Sequence, residues 1–496
     1  MIKYVIINSD DNVAVAIETL NAGDVVAIKG DIINIVSNVP AGHKFALNDI
    51  KNGSHIIKYG YSIGHARSNI YKGSLVNGFN TETNLGELLE YSYRPIPEII
   101  SSTTEKREFM GYLRADGRVG IRNEIWIVPT VGCVNGVAGK LAAMLNKENE
   151  DTSIDSFFSV THNHGCSQLG DDLENTRKIL RNLVKHPNAG GVLVIGLGCE
   201  NNQLDSFQKF IGEYDSSRIK FMECQRVPGD ELIEGMNLLR EICKVVKNDR
   251  REKLPLSKLN VGLKCGGSDG FSGITANPLL GLFSDFLVSQ GGTSVLTEVP
   301  EMFGAETILM NRCQDIATFN KTVSLINDFK KYFIDNGQSV YENPSPGNIA
   351  GGISTLEEKS LGCTQKSGKS KVRDVLSYGD VLKVNGLNLL SAPGNDIVAS
   401  TALAAAGCQL ILFTTGRGTP LGSCVPTIKI SSNTSLFIKK PNWIDFNAGG
   451  IVEGEEISVT CKKLIDMVID VASGRRVKNE DNEFRDIAIF KTGVTL

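Results

Sequence analysis

A chain of 496 residues exceeds what one hydrophobic core can organise and predicts two or three domains. With 41% hydrophobic and 22% charged residues it has the composition of an ordinary globular protein, and a net charge of −4 with interspersed signs argues against a nucleic-acid partner. No stretch approaches the ~18 apolar residues of a membrane span, and the apolar run in MIKYVIINSDDN is too short for a secretion signal, so a cytoplasmic protein with no membrane partner is expected.

The first 93 residues read as short strands and turns. NDIKNGSHIIKYG and SNIYKGSLVNGFN share an Ile-x-x-Gly frame, Ile50/Gly53 against Ile70/Gly73, which predicts a small β-rich module over residues 1–95. YRPIPEIISSTTEKRE (93–108) and KNDRREKLPLSK (247–258) interrupt all periodicity and read as linkers. Between them the apolar runs EIWIVPTVGC (124–133), SFFSVTHNHGC (156–166) and GVLVIGLGC (191–199) alternate with helical patterns. Those patterns are NGVAGKLAAMLNKE, LENTRKILRNLVKH and ELIEGMNLLREICKVVK. Strand-helix alternation predicts an α/β domain with a mainly parallel sheet over 108–250. NVGLKCGG (260–267), TSVLTEVP, a helical stretch at 317–336, NDIVASTALAAAG, QLILFTTG and a helix at 457–473 predict a second α/β domain over 258–496.

Six of the eleven cysteines stand beside glycine, and Cys133, Cys166, Cys199 and Cys265 close strand-like runs. Ligands of open α/β sheets bind outside the carboxyl ends of the strands. No C-x-x-C pair is present, so free thiols or scattered ligands are expected rather than a disulfide framework or a zinc finger. Glycine-rich loops such as KCGGSDGFSG contain neither G-x-G-x-x-G nor a Walker pattern, which disfavours nucleotide binding.

The loops GYLRADGRVGIRNEIWIVPTVGCVN, THNHGCSQLGDD, KCGGSDGFSGITANP, TEVPEMFGAE, NPSPGNIAGGISTLEEKSLGCTQK and FTTGRGTPLGSCVPTIKI together resemble the UxaA family of sugar-acid dehydratases. The resemblance runs nearly end to end and includes an N-terminal module that looks like that family's SAF (β-clip) domain. It implies dehydration of D-altronate to 2-dehydro-3-deoxy-D-gluconate with a divalent metal, usually iron(II), with manganese(II) as the second candidate. Galactarate dehydration and sulfolactate cleavage are the sister activities, and a homo-oligomer is compatible with the resemblance.

Dehydrating a 2,3-dihydroxy acid removes the C2 proton while the 3-hydroxyl leaves, so the site needs a cation on the carboxylate, a base and an acid. Arg417 can grip a carboxylate bidentately from a strand end beside Thr415, and Lys429 and Lys366 are further cations. His162, in the loop matching the family's, is the expected metal ligand or base, with Cys166, Cys199, Glu200 and Cys265 completing the candidate metal set. Asp269, Glu298, Glu301 and Glu306 supply oxygen donors, Asp269 also as a catalytic candidate. Asn201, Asn202, Ser268 and Asn277 suit a polyhydroxylated substrate, and the SAF module offers His43 and Lys58.

One segment departs from the family. Its His-x-His-Asn string is replaced by Asn77, Gly78, Phe79 and Asn80, and a phenylalanine there predicts packing against apolar surface. A reading of another class is an iron–sulfur protein with thiolate ligands from Cys133, Cys166, Cys199, Cys265 and Cys363. A catalytically silent sugar-acid binding protein is the third.

Overall fold

The computed structural model describes residues 3–28, 30–86, 88–98, 105–148 and 153–496. The N-terminal module consists of small antiparallel sheets. Tyr4–Val5, Val13–Ala16, Lys44–Ala46 and Leu75–Val76 form one, Val25–Ile28 and Asp31–Asn34 a hairpin, and His55–Lys58, Tyr61–Ala66 and Thr81–Glu82 a third. The Ile-x-x-Gly frame is a structural repeat: Ile50 and Ile70 exchange two backbone hydrogen bonds of 2.8 Å. Leu20 and Val39 pair in the same way, and the glycine three residues after each partner has φ between 78° and 92°. The unit therefore occurs four times rather than twice. Aliphatic variation at its first position hid the other two copies.

The middle unit is a parallel sheet in the order Phe157–Ser159, Glu124–Pro129, Ala189–Gly196, Ile219–Glu223. Alternate residues of the second strand face opposite layers, which is what a sheet covered on both sides requires. Ile125 and Ile127 meet the helices Asn135–Glu148 and Glu231–Val246. Trp126 and Val128 meet Gly170–Val184 and Leu204–Ile211.

The third unit holds seven parallel strands, Val372–Leu376, Gly386–Leu390, Thr293–Leu296, Asn260–Cys265, Leu410–Thr415, Thr427–Ser431 and Phe446–Asn447, in that order. One apolar core runs between the two α/β units, because Val295, Ile411 and Phe413 cluster with residues of the middle sheet around helix Asp396–Ala406. Among the described residues no helix is long and apolar enough to cross a membrane.

The stretch 247–258 is not a loose linker. Glu252–Pro255 pairs antiparallel with Glu108–Leu113, and Asp249 binds Arg114 and Arg218 at 2.7 Å each. Its charges serve a seam between units. Of the other expected linker, residues 99–104 lie outside the described residues. Residues before them lie along the third unit, where the Tyr93 hydroxyl donates to the Cys313 carbonyl at 2.7 Å and Glu98 pairs with Arg373 at 2.9 Å.

Two helices fix how the α/β units are oriented. The ends of Gly170–Val184 and Asp396–Ala406 meet at one segment, with Asn182 Nδ2 donating to the Gly379 carbonyl and Leu382 N to the Ala406 carbonyl, both at 2.9 Å. The helix N-termini, and with them the carboxyl ends of the strands in both sheets, therefore face the same side. The far side is locked by Arg122, whose guanidinium grips Glu480 at 2.7 and 2.8 Å. His186 adds to that lock. It stacks on Trp126 with centroids 5.1 Å apart and donates from Nε2 to the Cys408 carbonyl at 3.2 Å.

Burial holds the His186 imidazole at a pKa of about 3. The unfolded chain takes up this proton near pH ~6.5, so His186 favours the fold fully above that pH and progressively less as pH falls towards 3. The melting temperature should drop more steeply with acidification in the wild type than in His186→Gln; equal slopes in thermal melts across this window would remove the histidine from the account.

Candidate active site

The carboxyl end of the Asn260–Cys265 strand carries a sealed network of charges. Lys264 lies between Glu298 and Asp396, with Asp396 Oδ1 at 2.8 Å. Lys366 Nζ donates to Cys265 Sγ at 2.8 Å and approaches Glu298 Oε2 at 3.4 Å. Lys359 binds Glu301 Oε1 at 2.8 Å. Burial acts against every one of these ammonium groups, and their negative neighbours outweigh it, carboxylates first at Lys264 and Lys359 and the Cys265 sulfur first at Lys366, so all three hold their protons more tightly than usual. Burial and the adjacent Glu301 push the Glu298 pKa up, whereas three lysines hold Glu301 well below the usual range. Glu298 also has left-handed backbone, φ 69°, a strained conformation that non-glycine residues adopt where surroundings impose it.

Within this network Cys265, Glu301 and Cys363 converge. Their donor atoms lie within 4.8 Å of one another: the two sulfurs are 3.4 Å apart, and Glu301 Oε2 is 3.0 and 3.2 Å from them.

The SAF module closes over this place. Lys44 and Lys58 both bind Glu358, at 2.8 and 2.7 Å, and Lys44 also donates to the Gly352 carbonyl at 2.8 Å. Burial is opposed by two ammonium groups at Glu358, whose pKa falls to about 2; burial lowers Lys44 to about 8. Two buried ammonium groups against one carboxylate leave the seam electropositive. The contact is tight enough that a Cβ at Gly270 would overlap the Gly42 carbonyl oxygen. A cavity of about 10 Å³ remains, lined by Lys58, Ser268, Asp269, Glu358 and Cys363 among others. That is room for about one water.

Asp269 sits in this cavity. Its Oδ1 accepts from Ser272 N, Ser272 Oγ and Ser432 Oγ at 2.9, 2.8 and 2.8 Å, yet burial still pushes its pKa up. Asn277 is spent on structure, donating to the Gly362 carbonyl at 3.0 Å and accepting from Thr414 Oγ1 at 2.7 Å. Thr415 Oγ1 accepts from Gly418 N at 2.9 Å, which shapes the turn that carries Arg417. Arg417 is exposed, its backbone N–H tied to the Gly267 carbonyl at 2.8 Å. Lys429 is buried and donates to the carbonyls of Thr419, Pro420 and Leu421 at 3.1, 3.0 and 2.9 Å. Its three donors are consumed by the loop after Arg417, so it positions that loop.

The remaining expected ligands lie elsewhere, at the strand ends of the middle sheet. His162 Nε2 donates to the Pro129 carbonyl at 2.8 Å, and Nδ1 accepts from His164 N at 3.1 Å. Burial lowers its pKa to about 4, so it is neutral with both nitrogens engaged and has no lone pair to offer a metal. Glu200 accepts from Thr130 Oγ1 and Leu197 N at 2.6 and 3.1 Å through Oε1, and from Gly198 N at 2.6 Å through Oε2. Asn201 and Asn202 are likewise held, by Ser167 N at 2.7 Å and by the Thr130 and Gly165 backbones. Cys166 and Cys199 are exposed beside them. The expected five-residue metal set is thus divided, with Cys265 alone in the sealed network.

In the SAF module Lys58 reaches the seam, while His43 is half-buried with Nδ1 3.4 Å from the Ala41 carbonyl. Phe79 is 90% exposed, contrary to the apolar packing expected of it, because Asn77 Oδ1 accepts its backbone N–H and turns the segment outward. Lys44, Glu358, Lys264 and Lys359 were not singled out in the sequence. The one available signal was their position inside the irregular motifs GHKFAL, STLEEKS and GLKCGG.

Three family models match the chain: the altronate/galactarate dehydratase SAF domain over residues 2–84, the D-galactarate dehydratase/altronate hydrolase second domain over 111–247, and the D-galactarate/altronate dehydratase C-terminal domain over 256–495. The chain is 55% identical to an altronate dehydratase of Bacillus subtilis and 54% identical to one of Escherichia coli, each over all of both chains. It is 33% identical to the galactarate dehydratase (L-threo-forming) of Escherichia coli, over 95% of this chain and 93% of that one. The chain belongs to the D-galactarate/altronate dehydratase family.

Proposed function

We infer that this protein is an altronate dehydratase, a hydro-lyase acting on a sugar acid. The observation that carries the reading is identity above one half, along the entire length, to two altronate dehydratases of different bacteria. The geometry supports it, since a buried, electropositive seam beside a carboxyl whose pKa burial raises suits an anionic substrate that must lose hydroxide.

A six-carbon acid does not fit in about 10 Å³, so the SAF module must lift for substrate to reach the strand ends. On closure Lys58, whose ammonium shares Glu358 with Lys44, supplies the charge that holds the substrate carboxylate. Asp269, whose pKa burial raises, is the acid that protonates the departing 3-hydroxyl, which leaves as water. The C2 proton is lost to a base, and the resulting enol becomes the 2-keto product. Arg417 approaches from the mouth as a second carboxylate ligand. Cys265, Glu301 and Cys363 would hold the divalent metal that the family implies. Two thiols and one carboxylate around a single point fit iron(II) better than manganese(II), which prefers oxygen donors. Bound there, the ion would act as a Lewis acid near the carboxyl end of the sheet.

A panel of aldonic and aldaric acids, assayed for 2-keto-3-deoxy product under anaerobic iron(II), tests the activity. Turnover of D-altronate is expected, and turnover of galactarate alone would reassign the substrate.

Asp269→Asn removes the transferable proton while keeping the side chain's shape, and kcat should fall roughly 10²- to 10⁴-fold. A variant with wild-type kcat would place the acid elsewhere.

Arg417→Lys exchanges a planar fork for a point charge and should lower kcat/KM roughly thirtyfold to a thousandfold. Because the side chain is exposed, thermal stability should not change. Unaltered kinetics would leave the carboxylate to the SAF lysines.

A further inference from the structure

Eight of the eleven cysteines are buried or half-buried, as is usual for this residue. The three exposed ones, Cys133, Cys166 and Cys199, all stand on loops at the carboxyl ends of three adjacent strands of the middle sheet. These loops interlock. Gly132 N donates to the His164 carbonyl at 2.9 Å, Asn202 N to the Gly165 carbonyl at 3.0 Å, and Ser167 N to Asn201 Oδ1 at 2.7 Å. A Cβ at Gly165 would overlap the Thr130 carbonyl oxygen, so the first and second loops are in backbone contact. His162 and Glu200 spend their side chains on the same task, the first binding Pro129 and His164, the second Thr130, Leu197 and Gly198. These side chains fix the loops, and the thiols stay exposed, with Cys199 Sγ 3.8 Å from Gln225 Nε2 and Cys166 Sγ 3.8 Å from Ser167 Oγ. Such fixed surroundings are what a metal centre requires of the groups behind its ligands.

Spacing decides what kind of centre. A single zinc ion with bonds of about 2.3 Å needs sulfurs within about 4.6 Å of one another. Among the described residues the one group of three such donors within 4.8 Å is Cys265, Glu301 and Cys363, so the three exposed thiols stand too far apart to share one ion. Thiolates on different irons of a cluster stand farther apart than two ligands of one ion. We propose that Cys133, Cys166 and Cys199 bind a [4Fe–4S] cluster through three thiolates, leaving one iron without a protein ligand. The five cysteines that could ligate iron thus divide into a close pair suited to one ion and an open trio suited to a cluster. Since both sheets present their strand ends to the same side, the trio shares the face on which Cys265 lies. An iron with a free coordination position can take up a sugar-acid oxygen, a role separate from that of the ion at Cys265, Glu301 and Cys363. That role rests on the dehydratase reading; binding of the cluster does not.

The test uses the full chain purified anaerobically and reconstituted with iron(III), sulfide and dithiothreitol, then desalted. About four irons and four acid-labile sulfides per chain are expected, with broad visible absorption and a paramagnetic signal on one-electron reduction. Cys133→Ser, Cys166→Ser and Cys199→Ser should each lose most of the sulfide while keeping the wild-type circular dichroism, whereas Cys265→Ser and Cys363→Ser keep it. Iron without sulfide in the wild type, or sulfide retained in all three loop variants, would overturn the proposal. Altronate turnover is measured separately: turnover without sulfide sinks the cluster alone, and an intact cluster without turnover sinks the activity alone.

Discussion

The arrangement of the molecule depends on a dry network of opposite charges at the end of one strand. Lys264, Lys359 and Lys366 face the buried carboxylates of Glu298 and Glu301, and Lys264 also reaches the partly exposed Asp396. Removing charges from water costs several kcal/mol per ion, and only close pairing offsets it. Such a network is weak evidence for stability and stronger evidence for a site that needs fixed charges. The strained Glu298 backbone points the same way, because a turn that served stability alone would hold a glycine there.

Glu358 extends the same logic across the module boundary. One carboxylate shared by Lys44 and Lys58 draws the SAF module onto the third unit and leaves a surplus ammonium in the seam. A substrate carboxylate would neutralise that surplus. Closure with substrate is then electrostatically better matched than closure without it, which is how a lid can be coupled to its ligand.

Much of the architecture was legible because it follows from periodicity. The helices Asn135–Glu148, Glu231–Val246 and Asp396–Ala406 fall within one residue of their expected ends, since each begins after a polar loop and ends where its apolar period stops. The segment SFFSVTHNHGC was half legible: only Phe157–Ser159 is strand, and the rest is loop fixed by its own imidazole. The site was harder to read. Carboxylate partners of the site's buried lysines lie 34 to 314 positions away along the chain, and isolated lysines and glutamates look like surface. His162 was expected to ligate metal from its match to the family's loop, and Glu200 from its residue type beside Cys199. Their actual partners are backbone groups and, for Glu200, the Thr130 hydroxyl as well, which no sequence pattern announces.

The replaced histidine string is the sharpest case. Phe79 suggested an apolar contact, yet the side chain is exposed while Asn77 and Asn80 close the turn through their own amides, Asn77 N donating to Asn80 Oδ1 at 2.9 Å. The segment is self-sufficient. At Gly78 an added Cβ would sit 3.6 Å from the Ser354 carbonyl oxygen of the third unit, and Ser354 N in turn donates to Glu358 at 2.7 Å. The altered string therefore borders the seam without supplying a ligand to it. Charge at the seam comes instead from Lys44 and Lys58, on the strands Lys44–Ala46 and His55–Lys58 behind that turn. Loss of the two imidazoles thus leaves the charge complementarity of the seam intact, and the module keeps the groups with which it can hold an acid.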